Sequence, residues 1–230
     1  DILLRSSVEL NIFDSPLYLS RNFDGLALDQ AFVKRAMDIV IASLMLVVSS
    51  PFFVVIAALI KGTDHGPVFY TQKRLTKGGK IFSIYKFRTM IVNAESKSGP
   101  VKAGERDARV LPVGRFLRAT RLDELPQLLN IIKGDMSLVG PRPERVESLA
   151  DYTKEVEKRL NMRPGLTGLA QVSGNIYLEL PERYRLDVYY VEHFSLKLDL
   201  EILLRTIGVV FLGEEKYKNI PLIKIAGQKK

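Results

Sequence analysis

The adjacent acids Asp123-Glu124, with Arg115, Arg118 and Arg121 just upstream, are the residues best suited to chemistry. The local pattern predicts a helix beginning near Asp123, with Pro126 in its first turn. Leu125, Leu128, Leu129 and Ile132 supply its apolar face, and Gly134 supplies a stop. An acid opening a helix is most often a plain N-cap. It is also held ionised by the macrodipole and the free backbone N–H groups, as a carboxylate nucleophile or a Mg²⁺ ligand requires. The neighbouring guanidinium groups bind phosphate in a bidentate fashion, so acid and base together point to phosphoryl chemistry. Two further loops, Pro141-Arg142-Pro143 and Arg163-Pro164-Gly165, each fix an arginine on stiff backbone. In Gly165-Leu166-Thr167-Gly168 the glycines would let backbone N–H groups approach an anion. Neither a Walker A sequence nor a GxGxxG fingerprint occurs.

The elements that must position these residues start with an uncharged run, Ile39 to Ile60, between Asp38 and Lys61. Its 22 residues would reach about 33 Å as a straight helix, enough to cross a bilayer. A soluble core helix of that length would carry a polar stripe, whereas this one carries only Ser43, Ser49 and Ser50. Pro51 lacks the N–H and crowds the carbonyl of Val47, so a bend is expected at Ser50-Pro51. Basic residues flank both ends (Lys34 and Arg35; Lys61, Lys73, Arg74, Lys77 and Lys80), so charge bias alone leaves spanning and re-entrant topologies equally open. Val68 to Arg74 and Lys80 to Arg88 predict a hairpin through Lys77-Gly78-Gly79. Residues 93–110 read as a polar loop, Pro112 as the start of a short helix, and 144–161 and 181–193 as helices. Residues 196–212 are apolar but interrupted by charge, the pattern of a helix lying on a membrane surface.

Composition narrows the field. The 230 residues are 47% hydrophobic and 26% charged, which excludes a disordered chain. With no cysteine and only His65 and His193, a thiolate zinc site, a cysteine nucleophile and a histidine-rich metal centre are all excluded. The net charge of +8 suits an anionic partner. A first residue of Asp1 rather than Met is read as the mark of a piece from a longer protein.

An ordered set of segments closely resembles the bacterial sugar transferases, the monotopic phosphoglycosyl transferases. The segments are Lys34-Arg35-Ala36-Met37-Asp38, Ser50-Pro51, Lys86-Phe87-Arg88-Thr89-Met90, Leu122-Asp123-Glu124-Leu125-Pro126-Gln127, Lys133 through Pro143, Arg163 through Gly168, and Leu186-Asp187-Val188-Tyr189-Tyr190. The resemblance runs from about residue 32 to 212. It implies transfer of a sugar 1-phosphate from a UDP-sugar to undecaprenyl phosphate with release of UMP, a Mg²⁺ requirement, and a re-entrant helix bent at Ser50 and Pro51. It further implies Asp123 as nucleophile with Glu124 beside it, and Mg²⁺ held by Asp123, with Glu124 as the second candidate ligand. Phosphate or substrate contacts are expected from Lys86, Arg88, Arg118, Arg142, Arg163 and Asp187. The chain departs from the usual pattern at Arg121, Leu111 and Leu169, where Ser, Thr and Trp are common.

The fold expected is α+β and mainly helical: a re-entrant membrane helix-break-helix, a small β-hairpin and amphipathic interfacial helices around a cytosolic site. Residues 1–30 would form a connector, 31–215 the catalytic domain with its membrane helix at 34–61, and 216–230 a tail. The expected setting is the bacterial inner membrane, with the catalytic domain on the cytoplasmic face. A homodimer stays open, and nucleic acid is not an expected partner, since no recognition helix or stacking platform is evident. Two rival readings remain: a non-catalytic module binding anionic lipid or nucleic acid, and a glycosyltransferase that moves a bare sugar and releases UDP. The first gains nothing from carboxylates among its arginines; the second is separated by the released nucleotide.

Overall fold

A computed structural model describes residues 28–94 and 107–217. The connector, most of the polar loop and most of the tail expected from sequence lie outside the described residues. The first element, α1 (Leu28–Asp64), is a single helix of 37 residues that contains Pro51. The interruption expected at Ser50-Pro51 is therefore absent as a break in helical structure. The two serines turn inward on the backbone there, Ser49 Oγ donating to the Leu46 carbonyl and Ser50 Oγ to that of Val47. Such bonds serve carbonyls near a proline that cannot donate its own N–H. Most of the apolar residues of α1 are exposed, among them Val40, Leu44, Val47, Val48, Phe52 and Val54.

Both ends of α1 are nonetheless fastened to the same globular body. Near its start, Lys34 Nζ donates to the Val139 carbonyl at 3.0 Å and to Asp199 Oδ2 at 2.6 Å. Arg35 donates to the carbonyls of Ile131 and Ile132, and Asp38 accepts from Ser137 Oγ and Leu138 N. Near its end, Ile56 and Ile60 are buried with Phe87 and Leu117, and Asp64 pairs with Arg88. A straight helix would hold Arg35 and Asp64 about 44 Å apart. Their partners are linked through one short strand: Asn130, next to Ile131, bonds the backbone of Ser83 and Tyr85, and Arg88 follows three residues later. Three strand residues span only about 10 Å. Even with the reach of the four side chains added, the two anchors are tied more closely than a straight helix would hold them, so α1 curves between them, and Pro51 lies in that interval.

The hairpin forms as expected, β1 (Phe69–Leu75) pairing antiparallel with β2 (Ile81–Phe87). Gly78 and Gly79 take positive φ at the turn, where a side chain would be strained. After α2 (Pro112–Ala119), a 3-10 turn over Leu122–Glu124 precedes α3 (Gln127–Lys133), which stops at Gly134 with φ 96°. The helix expected near Asp123 thus starts four residues later. A parallel pair not foreseen, β3 (Ser137–Val139) with β4 (Gly165–Thr167), brings the two Arg-Pro loops side by side. Between them the helix expected over 144–161 is broken into a 3-10 stretch (Val146–Asp151), α4 (Lys154–Glu157) and another 3-10 turn (Lys158–Asn161). Next come α5 (Leu169–Val172), α6 (Leu180–Glu192) and α7 (Leu196–Leu212), with a 3-10 turn over Glu215–Tyr217 last among the described residues. The main core gathers Phe82, Ile84, Leu128, Met136, Leu186, Tyr190 and Ile202. On α7, Leu200, Leu204, Ile207 and Phe211 are exposed at helical spacing, an apolar stripe facing outward as the interfacial reading expects.

Candidate active site

The acid pair lies on the 3-10 turn before α3, reached through a sharp corner at Arg121, whose φ of 59° is left-handed. The corner lifts Asp123 and Glu124 away from the end of α2 and against β2. There Lys86 Nζ meets Glu124 Oε1 at 2.7 Å. Burial works against the charge of Glu124, but Lys86, Arg142 and Arg121 outweigh it and hold the carboxyl down at about 2. Asp123 is the opposite case. Burial pushes its carboxyl up to about 6; the Lys86 charge opposes this, Glu124 adds to it, and Arg118 pulls it down again. The expected origin of Asp123 ionisation, the N-terminus of α3, is therefore corrected: the residue sits a turn too early, and Lys86 and Arg118 offset only part of the burial that disfavours its charge. Among the described residues no Lys, Arg or His lies within ion-pair distance of Asp123, whereas Glu124 is matched with Lys86. Asp123 is thus the carboxylate of the pair without a close cation.

A cleft opens beside this pair, lined by Arg74, Lys86, Glu124, Gln127, Arg142 and Gln171. Arg142 is carried there by the loop after β3, and Arg159 Nη2 holds the Arg142 carbonyl at 3.0 Å. Arg159 is itself buried and paired with Asp187 at 2.5 Å, both side chains being only 2% exposed. Burial opposes the Arg159 charge, but Asp187, Tyr152 and Glu144 overcome it and keep the guanidinium charged. Tyr152 Oη accepts from Arg159 Nη1, and the Tyr184 ring lies 4.6 Å away.

The structure thus gathers Asp123, Glu124, Lys86, Arg118 and Arg142, and it does not gather the rest. Asp187 is corrected from a phosphate contact to a buried partner of Arg159. The Arg88 guanidinium is also buried, bonded to Asp64 and to the carbonyls of Pro67 and Met90, so it braces the end of α1 instead of facing substrate. Arg163 is exposed at the far side of β3–β4, its Nε donating to the Gly134 carbonyl near Arg35 and Lys77. Arg121 pairs with Glu214, beyond α7. The glycine loop is not an anion cradle at Gly165, whose N–H donates to the Pro141 carbonyl. A Cβ there would fall 2.1 Å from Gly140 N, so the residue serves contact between the two loops. Sequence reasoning missed Arg74, Gln127, Arg159 and Gln171. Gln127 and Gln171 are polar residues buried in short helices, a signal visible only once the helices are placed.

The donor set bears on a metal. Among the described residues no group of three or more acidic, histidine or cysteine side chains converges. Two adjacent carboxylates are what Mg²⁺ uses when substrate phosphates and water complete its shell. The free Asp123 beside Glu124 fits that mode, and it does not fit a cage built wholly from protein.

Comparison with known proteins follows the same lines. The family model described as bacterial sugar transferase matches residues 29–213. An exopolysaccharide production protein ExoY of Sinorhizobium fredii is 42% identical over 198 residues, covering 80% of this chain and 88% of that protein. An undecaprenyl-phosphate galactose phosphotransferase of Salmonella typhimurium is 38% identical over 221 residues, covering 90% of this chain but 46% of its own length. A UDP-glucose:undecaprenyl-phosphate glucose-1-phosphate transferase of Klebsiella pneumoniae is 37% identical over 214 residues, with 90% and 44% covered. The chain therefore spans nearly all of a short relative and less than half of two long ones.

Proposed function

The chain belongs to the bacterial sugar transferase family of phosphoglycosyl transferases, and we propose that it transfers a sugar 1-phosphate from a UDP-sugar to undecaprenyl phosphate, releasing UMP. This would be the initiating step in assembly of a surface polysaccharide. The observation that carries the reading is the unpaired, desolvated Asp123 near Lys86 and Arg118, beside a Glu124 that Lys86 and Arg142 hold charged. In the proposed course, Asp123 attacks the phosphate bearing the sugar. The bond from that phosphorus to the bridging oxygen of the diphosphate breaks, and UMP leaves with the electron pair. The phosphate oxygen of the acceptor lipid then attacks the same phosphorus and displaces the Asp123 carboxylate. Lys86, Arg118 and Arg142 balance negative charge on the phosphates as they enter. Glu124, held ionised by Lys86, keeps that lysine in place. Asp123 and Glu124 are the residues that would hold Mg²⁺, which when bound supplies charge neutralisation of the diphosphate.

The same reading places α1 in the bacterial inner membrane as a re-entrant hairpin, with the site on the cytoplasmic face. Support comes from its exposed apolar surface, its basic flanks, and the anchoring of both ends to one body.

Enzyme incubated with UDP-sugar and Mg²⁺, but without lipid, should release up to one UMP per site and gain the mass of one hexose phosphate on the peptide containing Asp123. Asp123→Asn should lose both. UMP release only when lipid is present, with no adduct trapped, would replace the covalent route by direct transfer and leave Asp123 a metal ligand.

A further inference from the structure

Two buried amides line the cleft beside the acid pair with polar atoms that nothing in the described protein satisfies. Gln127 is 2% exposed and its Nε2 has no partner; Gln171 is 7% exposed and its Oε1 has none. Buried polar groups in folded proteins are nearly always paired, so orphan atoms on two side chains that line one cleft call for an explanation. Both sit on rigid supports. Gln127 opens α3, two residues separating it from the turn bearing Asp123 and Glu124, and Gln171 lies in α5, which follows β4 and packs against α6 and α7. A Cβ at Gly168 would lie 2.6 Å from Gln171 Oε1, so that glycine leaves the space the amide needs.

We propose that Gln127 and Gln171 form a sugar-binding pair, which hydrogen-bonds a hydroxyl group of the hexose in the UDP-sugar and holds that sugar beside Asp123. The inference rests on the proposed function and deepens it. An unpaired N–H donor and an unpaired oxygen acceptor are together complementary to a hydroxyl, which donates and accepts at once. The hydroxyl suits either orientation of each amide. Position favours the hexose over uracil. The hexose is bonded directly to the phosphate that Asp123 attacks, and Gln127 lies only four residues beyond Asp123. Uracil is separated from that phosphate by the ribose and the second phosphate. Neither amide carries charge, and Lys86, Arg74 and Arg142 already supply the cations of the cleft, so the glutamines are suited to the neutral part of the substrate.

The test pairs each side chain with each hydroxyl. Wild type, Gln127→Met and Gln171→Met are assayed with the best UDP-sugar and with its monodeoxy analogues, reading kcat/KM by UMP release and affinity by calorimetry. Wild type should lose at least about tenfold on one analogue. A methionine variant should lose a similar factor on the parent sugar and nothing further on that analogue, while inhibition by UMP stays unchanged. Because methionine replaces an orphan amide by an apolar group of similar shape, the unfolding midpoint should not fall. Losses that multiply independently, or a lowered midpoint revealing a structural partner, would overturn the proposal. Equal weakening of UMP and every UDP-sugar would assign the pair to the nucleotide instead. Failure of the proposed function shows differently: wild type would release no UMP from any UDP-sugar, and calorimetry with the analogues would still decide the role of the glutamines.

Discussion

Removing the Asp187 carboxylate should destabilise the whole domain and unsettle the cleft with it. In Asp187→Ala, Arg159 stays buried, 3% exposed overall, with the Tyr152 hydroxyl and the Arg142 carbonyl as its remaining close partners. Neither carries negative charge, and Glu144 lies 3.9 Å off. Breaking a buried pair by deleting one member costs about 3–5 kcal/mol, because a charge is left uncompensated in the interior. For a chain of this size that is a fall of roughly 6–20 °C in the unfolding midpoint. The assay is thermal or denaturant unfolding of detergent-solubilised protein followed by circular dichroism. The double variant Asp187→Leu with Arg159→Met removes the orphaned charge as well, and should recover most of the loss. Its transferase activity should stay low, because the Arg142 carbonyl has still lost its anchor. A single variant that loses less than about 1 kcal/mol, or a double variant no more stable than the single, would refute the reasoning.

Other expectations concern the acids, the loops and the long apolar helix. In metal-free protein the Asp123 carboxyl should titrate near 6 by carbon-13 NMR, and Lys86→Met should move the midpoint higher, since the lysine favours the charged form. A midpoint that stays put would remove Lys86 from the environment of Asp123. Gly165→Ala should disrupt β3–β4, because the added Cβ meets Gly140 N at 2.1 Å and the Thr167 carbonyl at 2.2 Å; unchanged unfolding would show the loops are not interlocked. The cysteine-free chain allows single cysteines at Gln30 and Lys80, both exposed. An impermeant thiol reagent added to intact cells should label neither, and labelling of one alone would exclude a re-entrant α1. Pro51→Ala restores the missing N–H and should bring about such one-sided labelling.

What could be read in advance was local. The hairpin declared itself by Lys77-Gly78-Gly79 between β-type runs, α2 by Pro112, and the end of α3 by Gly134, because each signal acts within one turn of chain. The start of α3 was misplaced since nothing local distinguishes an acid capping an α-helix from one on a 3-10 turn; the corner at Arg121 decides it. The β3–β4 pair, three residues a side and 28 residues apart in register, is too short for periodicity to betray. Arg88 and Asp187 read as substrate contacts in sequence, and only tertiary packing supplies Asp64 and Arg159 as their partners. Arg163 shares a motif style with Arg142, yet the parallel pairing sends the two arginines to different sides.

The anchoring of α1 also has a schedule. Asp38 waits for Ser137 and Leu138, about 100 residues downstream, and Lys34 waits for Asp199, 165 residues downstream. At about 5–20 residues per second of synthesis, the gap before Asp199 emerges is on the order of ten to thirty seconds. Throughout that interval the hydrophobic segment is already out of the ribosome while its locking partners do not exist. Under the proposed placement of α1 in a membrane, the helix would enter the lipid first, held by its apolar surface alone, and the rest of the domain would condense afterwards around Lys34 and Asp38. A cell that delayed insertion until the chain was finished would expose Val47, Val48, Phe52 and Val54 to every other unfolded chain nearby.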